Sequence, residues 1–177
     1  LLYLRRPLTR PGSPSPNALP EHVETRPLGN IDDPAERATL QAALERTYID
    51  TLDCPGLCDM RSTPDVIDSH HATGVYDPTL WWLVFHKGEP EGCVLLARNP
   101  DQDAVELIYM GLGPDLRGKG LGGPLLEAAI ARLQRTGLST INCAVDARNT
   151  PARAMYARLG FTPFAERVAY VLPVTSA

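Results

Sequence analysis

The chain of 177 residues contains no apolar run that approaches the ~20 residues of a membrane-spanning helix. Its N-terminus also lacks a signal-peptide pattern, so the sequence predicts a cytoplasmic protein without a membrane partner. It has no C-x-x-C pair, which favours reduced thiols over a disulfide framework. The four cysteines are Cys54, Cys58, Cys93 and Cys143. The spacing of Cys54 and Cys58 from His70 and His71 matches no standard zinc pattern, so no metal site is predicted.

A basic stretch interleaved with aromatic residues is also missing, and the net charge of -4 disfavours a nucleic-acid partner. The charge is divided unevenly, because residues 1–109 carry 9 Lys and Arg against 17 Asp and Glu, whereas residues 110–177 carry 8 against 4. The positive C-terminal part suits an anionic cofactor. The acidic N-terminal part either suits a cationic substrate or is solvated surface charge.

The length and the hydrophobic content of 44% fit one folded domain. Five prolines between Pro7 and Pro20 predict an extended linker. We therefore divide the chain into an N-terminal arm, residues 1–20, and a domain, residues 21–177. Leu1–Leu4 looks like the end of a strand, and the chain starts with Leu rather than Met, so a further domain is expected before it.

Hydrophobic periodicity after the arm predicts a mixed α/β layout in the order β-α-α-β-β-β-α-β-α-β. The strands are expected at residues 22–28, 80–86, 92–98, 104–112, 139–145 and 161–172. The helices are expected at residues 34–49, 63–72, 120–135 and 150–159, the second with Thr63 as its N-cap. Short turns link the second, third and fourth strands, which predicts a meander.

A glycine-rich basic loop, residues 112–124, lies between a predicted strand and a predicted helix. Glycines allow close approach of the backbone to a ligand, Arg117 and Lys119 add positive charge, and the helix N-terminus adds unpaired N–H groups. The loop therefore predicts an anion site. Residues 113–119 fit the start of a P-loop, but Gly120 stands where that loop needs Ser or Thr.

Residues 118–123 spell G-x-G-x-x-G, yet a dinucleotide fingerprint should begin directly at the end of the strand. The third pattern, Arg117-x-x-Gly120-x-Gly122, resembles the pyrophosphate loop of the GNAT superfamily of N-acetyltransferases. A second signature lies downstream: Asn149-x-x-Ala152-x-x-x-Tyr156-x-x-x-Gly160-Phe161. The two signatures together select the GNAT resemblance, which covers residues 22–172. The layout also resembles the domains of tandem, mycothiol-synthase-like acetyltransferases.

The resemblance implies a mostly antiparallel central sheet with helices on both faces, and acyl transfer from acetyl-CoA to an amine within a ternary complex. Tyr156 would protonate the departing thiolate, Asn149 would hydrogen-bond the pantetheine arm, and the backbone of Met110 and Leu112 would bind the arm and the thioester carbonyl. The pyrophosphate would be wrapped by Arg117, Gly118, Lys119, Gly120, Leu121 and Gly122. The alternatives are a non-catalytic coenzyme A-binding module and a P-loop or Rossmann nucleotide-binding protein.

Glu106 is the candidate general base, because some family members have a glutamate at this strand position; the alternative base is water. Strand alternation predicts that Glu106 shares a face with Met110 and Leu112. Tyr156 also fits a plain core position on its helix, and Asn149 also fits an N-cap.

The segment after the first helix would shape the acceptor pocket, and the candidates are Asp53, Asp68, Tyr76 and one of the adjacent histidines His70 and His71. Small molecules and peptides carrying an amine are the expected acceptors, and a homodimer or a preceding domain is the expected protein partner.

Overall fold

The computed structural model describes residues 1–8, 19–58, 60–133 and 137–170. Within these ranges the chain forms one sheet of seven strands and four α-helices. The strands are β1 (Leu2–Pro7), β2 (Val23–Pro27), β3 (Trp81–His86), β4 (Glu89–Asn99), β5 (Ala104–Leu112), β6 (Thr140–Val145) and β7 (Thr162–Glu166). The helices are α1 (Pro34–Tyr48), α2 (Thr63–His71), α3 (Gly122–Leu133) and α4 (Thr150–Arg158). No helix in the described ranges is long and apolar enough to cross a membrane.

The strand order is β2-β3-β4-β5-β6-β1-β7, and among the strands of the described ranges only the neighbours β5 and β6 run parallel. The predicted mixed, mostly antiparallel sheet and the meander β3-β4-β5 are therefore confirmed. β1 lies between β6 and β7 and pairs antiparallel with both. Part of the predicted arm thus supplies a strand of the sheet, while residues 9–18 lie outside the described residues. The division of the chain into arm and domain stays a prediction.

Helices cover both faces of the sheet, and the two adjacent tryptophans of β3 show this directly. Trp81 packs with Leu40 and Leu44 of α1 on one face, and Trp82 packs with residues of α3 on the other. The alternation of side chains along a strand sends these neighbours to opposite faces. The sheet is therefore the middle layer of three, as the resemblance implied.

Proline and a capping side chain define where the helices start. The carboxylate of Asp33 accepts from the N–H of Ala35, and Pro34 occupies the first turn of α1. The cap of α2 is Ser62, whose hydroxyl accepts from the N–H of Asp65, so the assignment of the cap to Thr63 was wrong by one residue. At the other end of the chain the last strand was predicted too long, because β7 ends at Glu166.

Two irregularities of β5 shape the region beside the glycine-rich loop. Pairing with β6 is limited to Ala104–Leu107, so the edge of β5 from residue 108 to residue 112 that faces β6 has no partner strand among the described residues. In addition, Leu95 pairs with Tyr109 while Leu96 pairs with Leu107, which makes Ile108 an extra, bulged residue. Beyond Leu107, β5 and β6 therefore diverge on the way to the glycine-rich loop.

Candidate active site

A cleft of about 490 Å³ lies between the C-terminal end of β5, the glycine-rich loop, α4 and the segment that follows α1. A smaller recess of about 50 Å³ lies where β5 and β6 diverge. The two cavities share Asp53, Tyr109, Met110, Asn149, Ala152 and Tyr156. The topology thus joins both sequence signatures around one space, although they are far apart along the chain.

The glycine-rich loop presents backbone N–H groups to this cleft. Gly118 and Gly120 have φ angles of +70° and +73°, a backbone conformation that residues other than glycine rarely adopt. Across the described part of the chain, the N–H groups of residues 118–123 find no hydrogen-bond acceptor. They lie at the N-terminal end of α3, where the helix dipole adds positive potential. The loop therefore fits a phosphate or pyrophosphate group.

The side chain of Arg117 binds the protein rather than the open part of the cleft. Its guanidinium donates to the carbonyl oxygens of Leu112 at 2.7 Å, of Thr47 and of Ile49. The last two carbonyls belong to the C-terminal end of α1 and the residue that follows it. Arg117 therefore fixes the loop to α1, and its predicted contact with pyrophosphate stays a prediction. Lys119 is exposed in the same loop.

A second ionic contact joins the start of the loop to α1. The buried carboxylate of Glu91 accepts from Nε of Arg46 at 2.7 Å and from Nη2 at 3.0 Å. It also accepts from the N–H of Asp115 at 3.0 Å. Burial opposes ionisation of Glu91, but these hydrogen bonds outweigh it and lower its pKa. A Cβ at Gly113 would meet the carboxylate of Glu91, so a larger residue there would displace the side chain that binds Arg46 and Asp115.

The gap between β5 and β6 leads from the loop to the candidate catalytic residues. The backbone of β5 beyond Leu107 is unpaired on this side, and Met110 and Leu112 line the cleft. Asn149 lines both cavities and caps α4 through its Oδ1, which accepts from the N–H of Ala152 at 3.2 Å. Its side-chain NH₂ group is not required for the cap. An extended ligand in the gap would therefore meet free backbone groups and one amide.

Tyr156 lies on the wall shared by the two cavities. It is 7% exposed and packs edge-on against Phe161 with ring centroids 5.3 Å apart. Its hydroxyl lies on the side of Cys143 of β6, and the two groups influence each other's pKa. Burial, reinforced by the nearby Cys143 and Asp53, raises the pKa of Tyr156. The hydroxyl is therefore protonated at neutral pH and in a position to donate a proton into the cleft.

The position of Glu106 differs from the one that simple alternation predicts. Val105, Leu107 and Met110 pack on the face covered by α3 and α4, whereas Ile108 and Tyr109 pack on the face covered by α1 and α2. Because the bulge interrupts the alternation, Glu106 shares a face with Tyr109 and not with Met110. Burial raises its pKa. Glu106 lines neither cavity, and its role as general base stays a prediction.

The cleft also contains charged residues outside the two signatures. Asp50 and Asp53 line it from the segment after α1, and Arg158 lines it from α4. Arg158 was missed, because it occupies an unspecified position between Tyr156 and Gly160; the basic C-terminal part of the chain was its only sequence signal. The cleft is thus lined by two aspartates on one side and by an arginine on the other.

The other acceptor-pocket candidates are engaged elsewhere. Asp68 pairs with Arg37 at 2.6 Å, and Tyr76 packs edge-on against Trp81. Of the adjacent histidines, His70 packs beside Tyr109 and His71 beside Tyr76. In the described ranges no three His, Cys, Asp or Glu side chains form a group that could hold a metal ion. Of these candidates, Asp53 is the one at the cleft.

Solved structures of low sequence identity share this fold. A GCN5-related N-acetyltransferase from Sphaerobacter thermophilus superposes with a TM-score of 0.66 at 19% identity, over 92% of this chain and 48% of that one. A GNAT family acetyltransferase from Elizabethkingia anophelis, solved with acetyl-CoA bound, gives a TM-score of 0.54 at 17% identity, over 79% and 76%. These likenesses establish the fold.

Sequence comparison adds the family. A mycothiol acetyltransferase of Streptomyces coelicolor is 32% identical over 161 residues, which are 91% of this chain and 49% of the relative. One from Rhodococcus erythropolis is 29% identical over 96% of this chain and 56% of its own length. The chain thus spans about half the length of the curated relatives it matches. The model of the acetyltransferase (GNAT) family matches residues 44–161. Because this match covers most of the chain, including both signatures, the chain belongs to the acetyltransferase (GNAT) family.

Proposed function

We propose that this chain transfers an acetyl group from acetyl-CoA to an amine. The observation that carries the proposal is the continuity of the cleft, which runs from the free N–H groups of residues 118–123 to Tyr156 in the gap between β5 and β6. Acetyl-CoA would supply the activated acyl group as a thioester. The protein would bind its anionic end, orient the chain that follows, and manage protons at the reacting end.

The chemical groups that line the cleft match those of coenzyme A. The glycine-rich loop and the N-terminus of α3 offer donors for the pyrophosphate, as the signature Arg117 to Gly122 implied. Arg158 adds a positive charge to the wall of the same cleft. The unpaired backbone around Met110 and the amide of Asn149 offer hydrogen bonds to the amide groups of pantetheine.

Tyr156 is the proposed general acid. Its phenol would give a proton to the sulfur of coenzyme A as the carbon–sulfur bond breaks. A phenol keeps its proton at neutral pH, and the thiolate that forms as the bond breaks is the base that would take this proton. Donors on the unpaired edge of β5 would stabilise negative charge on the carbonyl oxygen.

A calorimetric titration of the folded protein with acetyl-CoA tests the proposal, and we expect saturable binding. Release of free thiol with a panel of primary amines then tests catalysis, and amines of the mycothiol type belong in that panel because of the named relatives. Absence of acetyl-CoA binding would refute the proposal.

Tyr156→Phe separates a catalyst from a non-catalytic coenzyme A-binding module. In a catalyst this change lowers kcat by about 100-fold or more and preserves affinity for acetyl-CoA, because only the proton donor is lost. Ser139→Ala is a suitable control, because it also removes one hydroxyl but lies directly before β6, where the hydroxyl donates to the carboxylate of Asp103. Cofactor binding without turnover in the wild-type protein would instead indicate a module.

A further inference from the structure

Asp53 reaches across the cleft from the segment between α1 and α2. Its Oδ1 accepts a hydrogen bond from the N–H of Asp146 at 3.1 Å. Asp146 follows directly after β6, on the far side of the gap between β5 and β6. The contact therefore holds a carboxylate at the gap itself, although Asp53 is 93 residues away from Asp146 along the chain.

The place of Asp53 within the cleft is defined by its neighbours. It lines both the main cleft and the small recess, together with Met110 and Tyr156. The glycine-rich loop lines only the main cleft. Asp53 therefore lies at the end of the cleft that contains the proposed proton donor, and the phosphate-binding end lies elsewhere.

No basic side chain in the part of the chain that the structure describes neutralises the charge of Asp53. Asp146 is held by Arg148, which donates from Nη2 at 2.8 Å and from Nε at 3.1 Å, and these bonds lower the pKa of Asp146. Asp53 forms no salt bridge in the described ranges. Burial of its carboxylate is the main cause that raises its pKa, although the residue as a whole is exposed. A cation bound there would remove this cost.

Glu106 is less well placed for the same task. It lies on the face of Tyr109, and it lines neither the cleft nor the recess. Asp53 and Tyr156, in contrast, share both cavities, and the charge of Asp53 contributes to the raised pKa of Tyr156 after the larger effect of burial. Asp53 is therefore the carboxylate that shares both cavities with the proposed proton donor.

Given the proposed acetyl transfer, we propose that Asp53 binds the ammonium group of the acceptor and takes one of its protons. An N–H bond of the ammonium breaks, and its proton moves to a carboxylate oxygen of Asp53. The freed electron pair of nitrogen forms the carbon–nitrogen bond to the acetyl group. The carbon–sulfur bond breaks, and the sulfur takes a proton from Tyr156. A second proton leaves the nitrogen to solvent, and Asp53 returns its proton to solvent, while Tyr156 is reprotonated from solvent.

The N–H group of Asp146 is a natural reporter of this site, because it donates directly to Asp53. Ethylammonium chloride, added to the ¹⁵N-labelled protein saturated with coenzyme A, should shift the Asp146 amide resonance in a saturable manner. Ethanol, a neutral molecule of similar size, should not. In Asp53→Asn the amide oxygen still accepts from Asp146, but the charge is gone, so the response to ethylammonium should disappear.

The outcomes of this titration separate the two proposals. An equal response to ethanol, no response to ethylammonium, or an unchanged response in Asp53→Asn would overturn the assignment of Asp53 while the proposed function stands. A failure of coenzyme A to bind would overturn the proposed function first. The wild-type titration needs no substitution, so an absent response, or one equal to that of ethanol, overturns the assignment even where Asp53→Asn does not fold.

Kinetics with an amine that proves active in the thiol-release panel give a second readout. Asp53→Asn should lower kcat/KM for the amine by about 100-fold and leave the Kd of acetyl-CoA within about twofold. The acid limb of the pH profile should also change. The titratable or charged groups near Asp53 that could also contribute to this profile are Cys54, Tyr109, Cys143, Asp146, Arg148 and Tyr156.

Asp101→Asn is the matched control, because Asp101 is exposed in the turn between β4 and β5 and should leave the reaction unchanged. Loss of the acid limb in Glu106→Gln, with its retention in Asp53→Asn, would show that Glu106 is the base and would overturn the proposal.

Discussion

The guanidinium of Arg117, in the glycine-rich loop, donates a hydrogen bond to the carbonyl oxygen of Thr47 in the last turn of α1. The same group binds the carbonyls of Ile49 and Leu112. A cation beside the last carbonyls of a helix is favourable, because those groups lack partners within the helix. The loop is thereby attached to α1 before any ligand binds.

Arg117→Gln should therefore weaken coenzyme A binding through the position of the loop. We expect a loss of about tenfold in affinity, together with a lower Tm, because both the loop and the end of α1 lose their contact. Lys119→Gln is the comparison, since Lys119 is exposed in the same loop. That change should reduce the affinity only at low salt and leave Tm unchanged. Calorimetry at two salt concentrations and thermal melts distinguish the two; an unchanged Tm in Arg117→Gln would contradict this account.

The backbone conformation of the loop gives a second prediction. Gly120 has a φ of +73°, and no atom lies within 4 Å of the position that a Cβ would take, so Gly120→Ala introduces strain without a clash. Strain of roughly 1–2 kcal/mol should move the loop and lower coenzyme A affinity by about tenfold. Gly123→Ala is matched in chemistry, but Gly123 has no positive φ and equally open surroundings. That variant should retain affinity, and an equal loss in both variants would show that the φ of Gly120 is not the cause.

Local patterns were sufficient to predict much of this fold. β5 has the predicted bounds, and the glycine-rich loop lies between β5 and α3 as expected. Turn residues, caps and hydrophobic periodicity are encoded within short windows, so a single sequence carries them. The pairing of the two signatures around one cleft came from the family resemblance, since spacing alone left three anion-binding loops open.

Long-range contacts explain what was missed. β1 pairs with β6 through Leu2 and Val145, which are separated by most of the chain. The bulge at Ile108 places Glu106 on the face opposite to Met110. A single inserted residue does not show in the alternation of polar and apolar residues, so the sequence alone did not reveal it. Likewise, nothing in the loop indicates that Arg117 bonds a helix end 70 residues away.

The contact between Arg46 and Glu91 predicts how stability responds to acid. The pKa of Glu91 is lowered in the folded protein from an ordinary value of 4.5, so its stabilising effect is present above pH 4.5 and is lost as pH falls through its folded value. Glu91→Gln should lower Tm at neutral pH, and the difference from wild type should shrink below about pH 4.5. Thermal melts across this range provide the measurement. A difference that persists unchanged in acid would mean that packing, not charge, is responsible.

His70 predicts a pH effect over a higher range. Its Nε2 is buried without a hydrogen-bond partner in the described residues, and its ring lies 5.6 Å from that of Tyr109. Burial, with a smaller effect of Arg61, lowers the pKa of His70 from 6.5 to about 4. The imidazole is therefore neutral in the folded protein at pH values where the unfolded chain already binds a proton.

The sign follows from this difference in bound protons. Stability contributed by neutral His70 is complete above pH 6.5 and is lost as pH falls towards 4, by roughly 3 kcal/mol at most. Chemical denaturation between pH 7 and pH 4 should show this loss. His70→Gln should remove most of the slope, whereas His22→Gln, at an exposed position, should retain it. An identical slope in wild type and His70→Gln would show that other groups cause the acid sensitivity, because the substituted side chain no longer titrates.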